Sequence, residues 1–135
     1  MSNEASAAAP LQAARVLVID DSNTIRRSAE IFLRQGGYEA LLAEDGFDAL
    51  SKVNDHDPDL IFCDILMPRL DGYQTCAIIK RNPRFSGVPV IMLSSKDGLF
   101  DKARGRMVGS DDYLTKPFTK DQLLQAVEQH KRAVA

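Results

Sequence analysis

From Arg15 onward, short apolar runs alternate with longer stretches in which apolar residues return every three or four positions. The runs predict strands and the stretches predict helices, because side chains repeat every two residues on a strand and every 3.6 on a helix. "RVLVI" (15–19) is nearly all apolar and rich in β-branched residues, as suits a strand covered on both faces. "SNTIRRSAEIFLRQGG" (22–37) predicts a helix capped by Ser22, with Ile25, Ala29, Phe32 and Leu33 on one face and a stop at Gly36-Gly37. "YEALLA" (38–43) is a weaker strand, and Asp45 caps "GFDALSKVND" (46–55), whose Ala49, Leu50 and Val53 share a face. "DLIFCDIL" (59–66) is a third strand. "DGYQTCAIIKRN" (71–82) opens with Asp71 and Gln74 at capping-box spacing. "VPVIMLSS" (88–95) is a fourth strand, "KDGLFDKARGRMVG" (96–109) a helix weakened by Gly98 and Gly105, and "DYLT" (112–115) a short fifth strand running into Lys116-Pro117. "TKDQLLQAVEQHKR" (119–132) closes the pattern as a helix with Thr119 and Gln122 as a second capping box and Leu123, Leu124 and Val127 inward.

Five strand–helix pairs in succession imply an α/β fold: a doubly wound parallel sheet with right-handed crossovers and helices on both faces. Residues 14–135 fit one domain, and residues 1–13, mostly alanine and polar, read as a flexible tail. That opening has an acidic residue and no basic segment, which argues against a secretory signal.

Bulk properties narrow the function classes modestly. The 135 residues are 44% hydrophobic and 27% charged, with a formal net charge of −2, so the electrostatic footprint of a nucleic-acid binder is missing. Cys63 and Cys76 form no CxxC pair and have no histidine clustered around them, which points to reduced, cytoplasmic thiols rather than zinc or redox chemistry. No apolar run approaches the roughly 18 residues of a membrane span, so membrane insertion is not expected.

The polar residues change the picture. Asp20 and Asp21 follow the first strand, Asp64 the third, Ser94 the fourth and Lys116 the fifth, all at carboxyl ends, where open α/β sheets bind ligands. Two carboxylates about 4 Å apart repel by roughly 4 kcal/mol at an effective dielectric near 20, so an acidic crevice calls for a cation. Oxygen ligands without Cys or His favour Mg²⁺, which leaves room for a phosphoryl oxygen, and Lys116 adds a second positive point. Phosphoryl transfer depends mainly on such charge placement, and an aspartate, here Asp64, can be the nucleophile. Taken singly, each residue has a plainer role: Asp20, Asp21 and Ser94 as turn or cap residues, Lys116 as a solvated charge. Asp64 is harder to dismiss, since it interrupts a buried run. The ordered combination on one edge favours chemistry.

Together "VIDDS", "CDILMPRLDG", "VIMLSS" and "GSDDYLTKPF" resemble the response-regulator receiver family typified by the chemotaxis protein CheY, over about residues 14–132. "DILMPRLDGYQTCAIIK" and "SSKDGLFDKARGRMVGSDDYLTKPF" are similar to the PilG-type branch, the regulators of type IV pilus twitching motility. The resemblance implies a flavodoxin-like (βα)5 fold with strand order 2-1-3-4-5, and a phosphoacceptor signalling protein that catalyses only its own phosphorylation and dephosphorylation. On matching positions it implies that Asp64 accepts the phosphoryl group from a chemotaxis-type histidine kinase in trans. Asp21 would bind Mg²⁺ directly, Asp20 would act near it largely through water, and the Leu66 backbone carbonyl would complete the ligands with Asp64. Lys116 would pair with a phosphoryl oxygen and Ser94 would be the switch hydroxyl. Tyr113 would be the aromatic switch residue, filling inward space when Ser94 moves, though an ordinary packed tyrosine suits a strand equally. Lys116-Pro117 matches a bond that receivers hold cis, while Pro68 and Gly72 fit the tight loop after the acceptor strand.

The resemblance also implies an output surface made of the fourth helix, fifth strand and fifth helix, binding a downstream protein such as a pilus-motor regulator, with no output domain expected after residue 132. Lys96, Lys102, Arg104 and Arg106 on that surface would suit an acidic partner or simply be solvated. Two other classes fit less well. A phosphohydrolase would need a DxD motif and a cap domain, and a mononucleotide-binding module would need a glycine-rich turn where "DDSNT" stands. His56 and His130 lie in polar, exposed-looking stretches and make no case for a phosphorelay.

Overall fold

Each helix begins where a short polar side chain takes over an orphan backbone N–H. In the computed structural model, which describes residues 13–95 and 101–131, Ser22 accepts from the Ile25 amide, Asp45 from Asp48, Asp71 from Gln74, Asp101 from Arg104 and Thr119 from Gln122. Those caps start α1 (Asn23–Gln35), α2 (Gly46–His56), α3 (Gly72–Arg81), α4 (Lys102–Val108) and α5 (Lys120–His130). Both expected capping boxes form, satisfying two amide donors at each end. The helix expected from residue 96 is described from Lys102; residues 96–100, including Lys96, lie outside the described residues, as do 1–12 and 132–135.

The strands are β1 (Arg15–Ile19), β2 (Glu39–Ala43), β3 (Leu60–Asp64), β4 (Val90–Ser95) and β5 (Asp112–Lys116). All pairings are parallel, in the order β2-β1-β3-β4-β5. β4 starts two residues later than the apolar run: Pro89 has no N–H to donate, though its carbonyl still accepts from Ile61.

Alternation within β1 splits the core. Val16 and Val18 pack with Ala29, Leu33, Leu123 and Val127 on the side of α1 and α5. Leu17 and Ile19 pack with Ala49, Val53, Cys76 and Ile79 on the side of α2 and α3. A strand apolar on both faces is therefore buried on both, as its composition predicts. Gly72 closes the loop after β3: a Cβ there would lie 2.2 Å from the Asp64 carbonyl oxygen, so only glycine lets α3 begin that close to the strand end.

Candidate functional site

The parallel sheet gathers four carboxyl ends along one edge. Asp20 stands one residue beyond β1, Asp64 ends β3, Ser94 lies near the end of β4, and Lys116 ends β5. Register pairs Asp64 with Leu93, Ser94 with Thr115 and Ser95 with Lys116, so Ser94 stands one residue and Lys116 two residues beyond the level of Asp64. A cavity of about 200 Å³ opens among Asp21, Asp64, Leu66, Ser94 and Lys116. Ligand oxygens of Asp20, Asp21 and Asp64 all lie within 4.8 Å of one another.

Lys116 answers part of the repulsion. Its ammonium reaches over β4 and donates to Asp20 Oδ2 and to Asp64 Oδ1, both at 3.0 Å. Burial works against the ammonium, but its hydrogen bonds to Asp64 and Asp20 outweigh burial and raise the Lys116 pKa above the usual lysine value. Asp64 is 3% exposed. Burial, followed by the charge of Asp20, pushes its carboxyl up to about 6 despite the opposing pull of Lys116. One ammonium against three carboxylates leaves negative charge in excess, the condition under which a divalent cation is welcome.

Asp20 is fully buried and fully bonded. Its amide donates to the Ala43 carbonyl at 3.1 Å and its Oδ1 accepts from the Ser22 amide at 2.9 Å. Its own carbonyl accepts from the Arg26 guanidinium at 2.6 Å. Arg26 was not among the residues expected here from sequence. Its only local signal is a cation in the first turn of α1, a common surface pattern.

The other expected residues divide. Leu66 lines the cavity and is 71% exposed. Ser94 is buried at the cavity wall, and its hydroxyl donates to the Ser95 carbonyl at 3.4 Å. Tyr113 is 40% exposed, with the Lys102 ammonium 5.4 Å from its ring centroid, so the ring faces outward in this state rather than filling inward space. The Lys116–Pro117 bond is cis, as expected. The Arg104 guanidinium lies 4.4 Å from the Tyr73 ring centroid and 3.7 Å from Asp71, with its side chain exposed. His130, in a stretch that looks exposed from sequence, is partly buried, with its Nε2 2.8 Å from Asp112 Oδ2 where the end of α5 passes the start of β5.

The model of the response regulator receiver domain matches residues 16–128. The chain belongs to the response regulator receiver family. Protein PilG of Pseudomonas aeruginosa is 65% identical to this receiver over 116 residues, 86% of each chain. The alkaline phosphatase synthesis transcriptional regulatory protein PhoP of Bacillus subtilis is 39% identical over 105 residues, and the match spans 78% of this receiver but 43% of PhoP. Among solved structures, the chemotaxis protein CheY4 of Vibrio cholerae superposes with a TM-score of 0.83 at 31% identity, covering 87% of this receiver and 98% of CheY4. The strand order, the acidic cluster and these relatives agree on a receiver, a signalling module whose family implies a histidine kinase partner. No described helix is long and apolar enough to cross a membrane.

Proposed function

We propose that this receiver takes a phosphoryl group on Asp64 from a chemotaxis-type histidine kinase and thereby changes a protein-binding surface. The observation that carries the reading is the Lys116 ammonium, 3.0 Å from both Asp20 and Asp64 at the mouth of the acidic cavity. A partly buried lysine between two buried acids is a poor stabiliser by itself, because desolvation cancels much of its Coulomb gain. As a receiver of a third negative group it has a use.

In the transfer, a carboxylate oxygen of Asp64 forms a bond to phosphorus as the P–N bond to the kinase histidine breaks, and the imidazole leaves with the electron pair. Lys116 then trades a carboxylate contact for a phosphoryl oxygen. The donor set is all carboxylate oxygen, within 4.8 Å and without sulfur or imidazole, which fits Mg²⁺. Asp20, Asp21, Asp64 and the Leu66 carbonyl would hold it, and it supplies neutralisation of the phosphoryl charge. The Ser94 hydroxyl has one long bond to give up and so turns readily toward the new acceptor oxygens. That displacement biases two arrangements of β4, α4 and β5, with Tyr113 moving inward in the phosphorylated one.

By the similarity to PilG, we assign the pathway to chemotaxis-like control of type IV pilus twitching motility. Residues 14–135 act there as one cytoplasmic receiver domain, and α4, β5 and α5 meet the downstream protein. The direct test is incubation with acetyl phosphate and Mg²⁺ followed by intact mass and hydroxylamine treatment. The parent is expected to carry one acid-stable, base-labile adduct that Asp64→Asn lacks. Equal labelling of Asp64→Asn would assign the acceptor elsewhere.

A further inference from the structure

The end of β1 poses a geometric problem. Its ladder to β2 closes with Ile19 opposite Ala43, and the last main-chain bond on that side is the Asp20 amide to the Ala43 carbonyl at 3.1 Å. The next peptide, joining Asp20 to Asp21, is the first one beyond the ladder. Its carbonyl belongs to a fully buried residue and needs a donor that no strand supplies. The Arg26 guanidinium provides it at 2.6 Å, and the same guanidinium lies 3.4 Å from Asn23 Oδ1. Arg26 is held in turn by α1, where its amide donates to the Ser22 carbonyl at 3.1 Å.

That carbonyl and the Asp21 amide lie in one rigid plane. Fixing the carbonyl direction fixes the rotation of the plane and so places the Asp21 nitrogen and Cα, leaving rotation about the Asp21 N–Cα bond as the one backbone freedom that turns its Cα–Cβ bond. Asp21 is exposed, whereas Asp20 is locked by Ser22 and Lys116. The aim of the Asp21 carboxylate therefore depends on its backbone more than on side-chain packing.

We propose that Arg26 is a positioning residue: held on the Asp20 carbonyl, its guanidinium sets the peptide plane that aims Asp21 into the acidic cluster and so sets the affinity of that cluster for a divalent cation. The proposal rests on the phosphoacceptor reading. It runs against simple electrostatics, since a cation near a metal site should weaken metal binding through space. Positioning and charge therefore predict opposite signs on neutralising Arg26.

The test is Mg²⁺ titration by calorimetry of the metal-free parent, Arg26→Gln, Arg26→Lys and Arg27→Gln. Arg27 is exposed on the next position of α1, so its variant removes the same formal charge without touching the Asp20 carbonyl. Groups that orient metal ligands are typically worth about 10–100-fold in metal affinity, and Arg26→Gln is expected to bind Mg²⁺ about tenfold more weakly. Arg26→Lys should fall between it and the parent, and Arg27→Gln should match the parent. Acetyl phosphate labelling of Arg26→Gln should be slow at limiting Mg²⁺ and recover at saturation. Parental or tighter Mg²⁺ binding by Arg26→Gln overturns the proposal while leaving the phosphoacceptor reading intact. A parent that takes up no Mg²⁺ overturns that reading, and the proposal with it. If Arg26→Gln does not fold, Arg26→Lys decides alone: weaker binding than the parent supports the proposal and parity overturns it.

Discussion

Two halves of one sheet edge are built to different standards. On the side of β1 and β3 every position from Val16 to Asp20 and from Leu60 to Asp64 is buried, and Asp20 has its amide, carbonyl and both carboxylate oxygens bonded. On the side of β5, positions alternate between partly buried and exposed, and Tyr113 faces outward. Beside it, α4 has seven residues with Gly105 in its interior, and Met107 is 86% exposed. The chemistry needs the first standard, because acids aimed at a phosphoryl group must hold their geometry as charge arrives. A response needs the second: an element moves when few buried contacts must be given up. Ser94 sits at the seam, buried like its β3 neighbours yet held by one 3.4 Å bond.

The largest expected effects test this contrast in stability. Phe62, fully buried in β3, should cost about 3–5 kcal/mol on truncation to alanine, the range for a large core residue. Leu114, partly buried in the same core layer from β5, should cost about 1–2 kcal/mol because solvent already reaches it. Chemical denaturation midpoints with a shared slope would measure both. Comparable losses would mean that β5 is packed as firmly as β3, and the division between holding and responding halves would have to be abandoned.

Next in size is the electrostatic load carried by the held side. Burial and the charge of Asp20 put the Asp64 carboxyl at about 6 in the metal-free fold, above its unfolded value near 4. The folded state therefore binds that proton more tightly than the unfolded state does. Stability from this group is complete below about pH 4 and is lost as pH rises through about 6, by roughly 3 kcal/mol for a shift of about two units. Asp64→Asn cannot lose a proton, so in EDTA it should be more stable than the parent at pH 8, by somewhat less than that figure because the Lys116 contact is weakened. The advantage should shrink toward zero near pH 4. Thermal unfolding at both pH values is the measurement, and a destabilised Asp64→Asn at pH 8 would mean that the acids do not strain the fold.

Much of this architecture was legible from sequence because its signals are local. Ser22, Asp45, Asp71 and Thr119 cap where short polar side chains precede helical periodicity, and the nearly all-apolar β1 and β3 announce strands buried on both faces. Asp20, Asp21, Asp64 and Lys116 could be placed on one edge because a parallel sheet puts every carboxyl end on the same side. What stayed hidden depends on reach and direction. Nothing local says that Lys116 spans β4 to touch both acids, or that Arg26 turns back to a carbonyl six residues earlier. His130 looked solvated because Asp112, its partner, is near only once α5 has folded across β5. Tyr113 was expected to fill inward space once Ser94 moves, and nothing local says that its ring stands 40% exposed before that.

The smallest expected effect is on the responding side, and it is informative for being small. Lys102 holds its ammonium 5.4 Å from the Tyr113 ring centroid at the surface of α4 and β5. An exposed cation–π contact of this kind is worth about 0.5–1 kcal/mol, so Lys102→Met should shift the unfolding free energy by no more than that. The initial rate of Asp64 labelling by acetyl phosphate at saturating Mg²⁺ should stay at the parental value, because among the described residues Lys102 does not line the acidic cavity. The equilibrium between outward and inward Tyr113 should nevertheless move, since Lys102 stabilises only the outward ring. Coupling is reciprocal for equilibria but not for rates. Lys102→Met should therefore bind beryllofluoride, a mimic of the phosphoryl group, somewhat more tightly while its labelling rate is unchanged. A slower labelling rate with unaltered beryllofluoride affinity would mean that α4 belongs to the catalytic half, contrary to its loose packing.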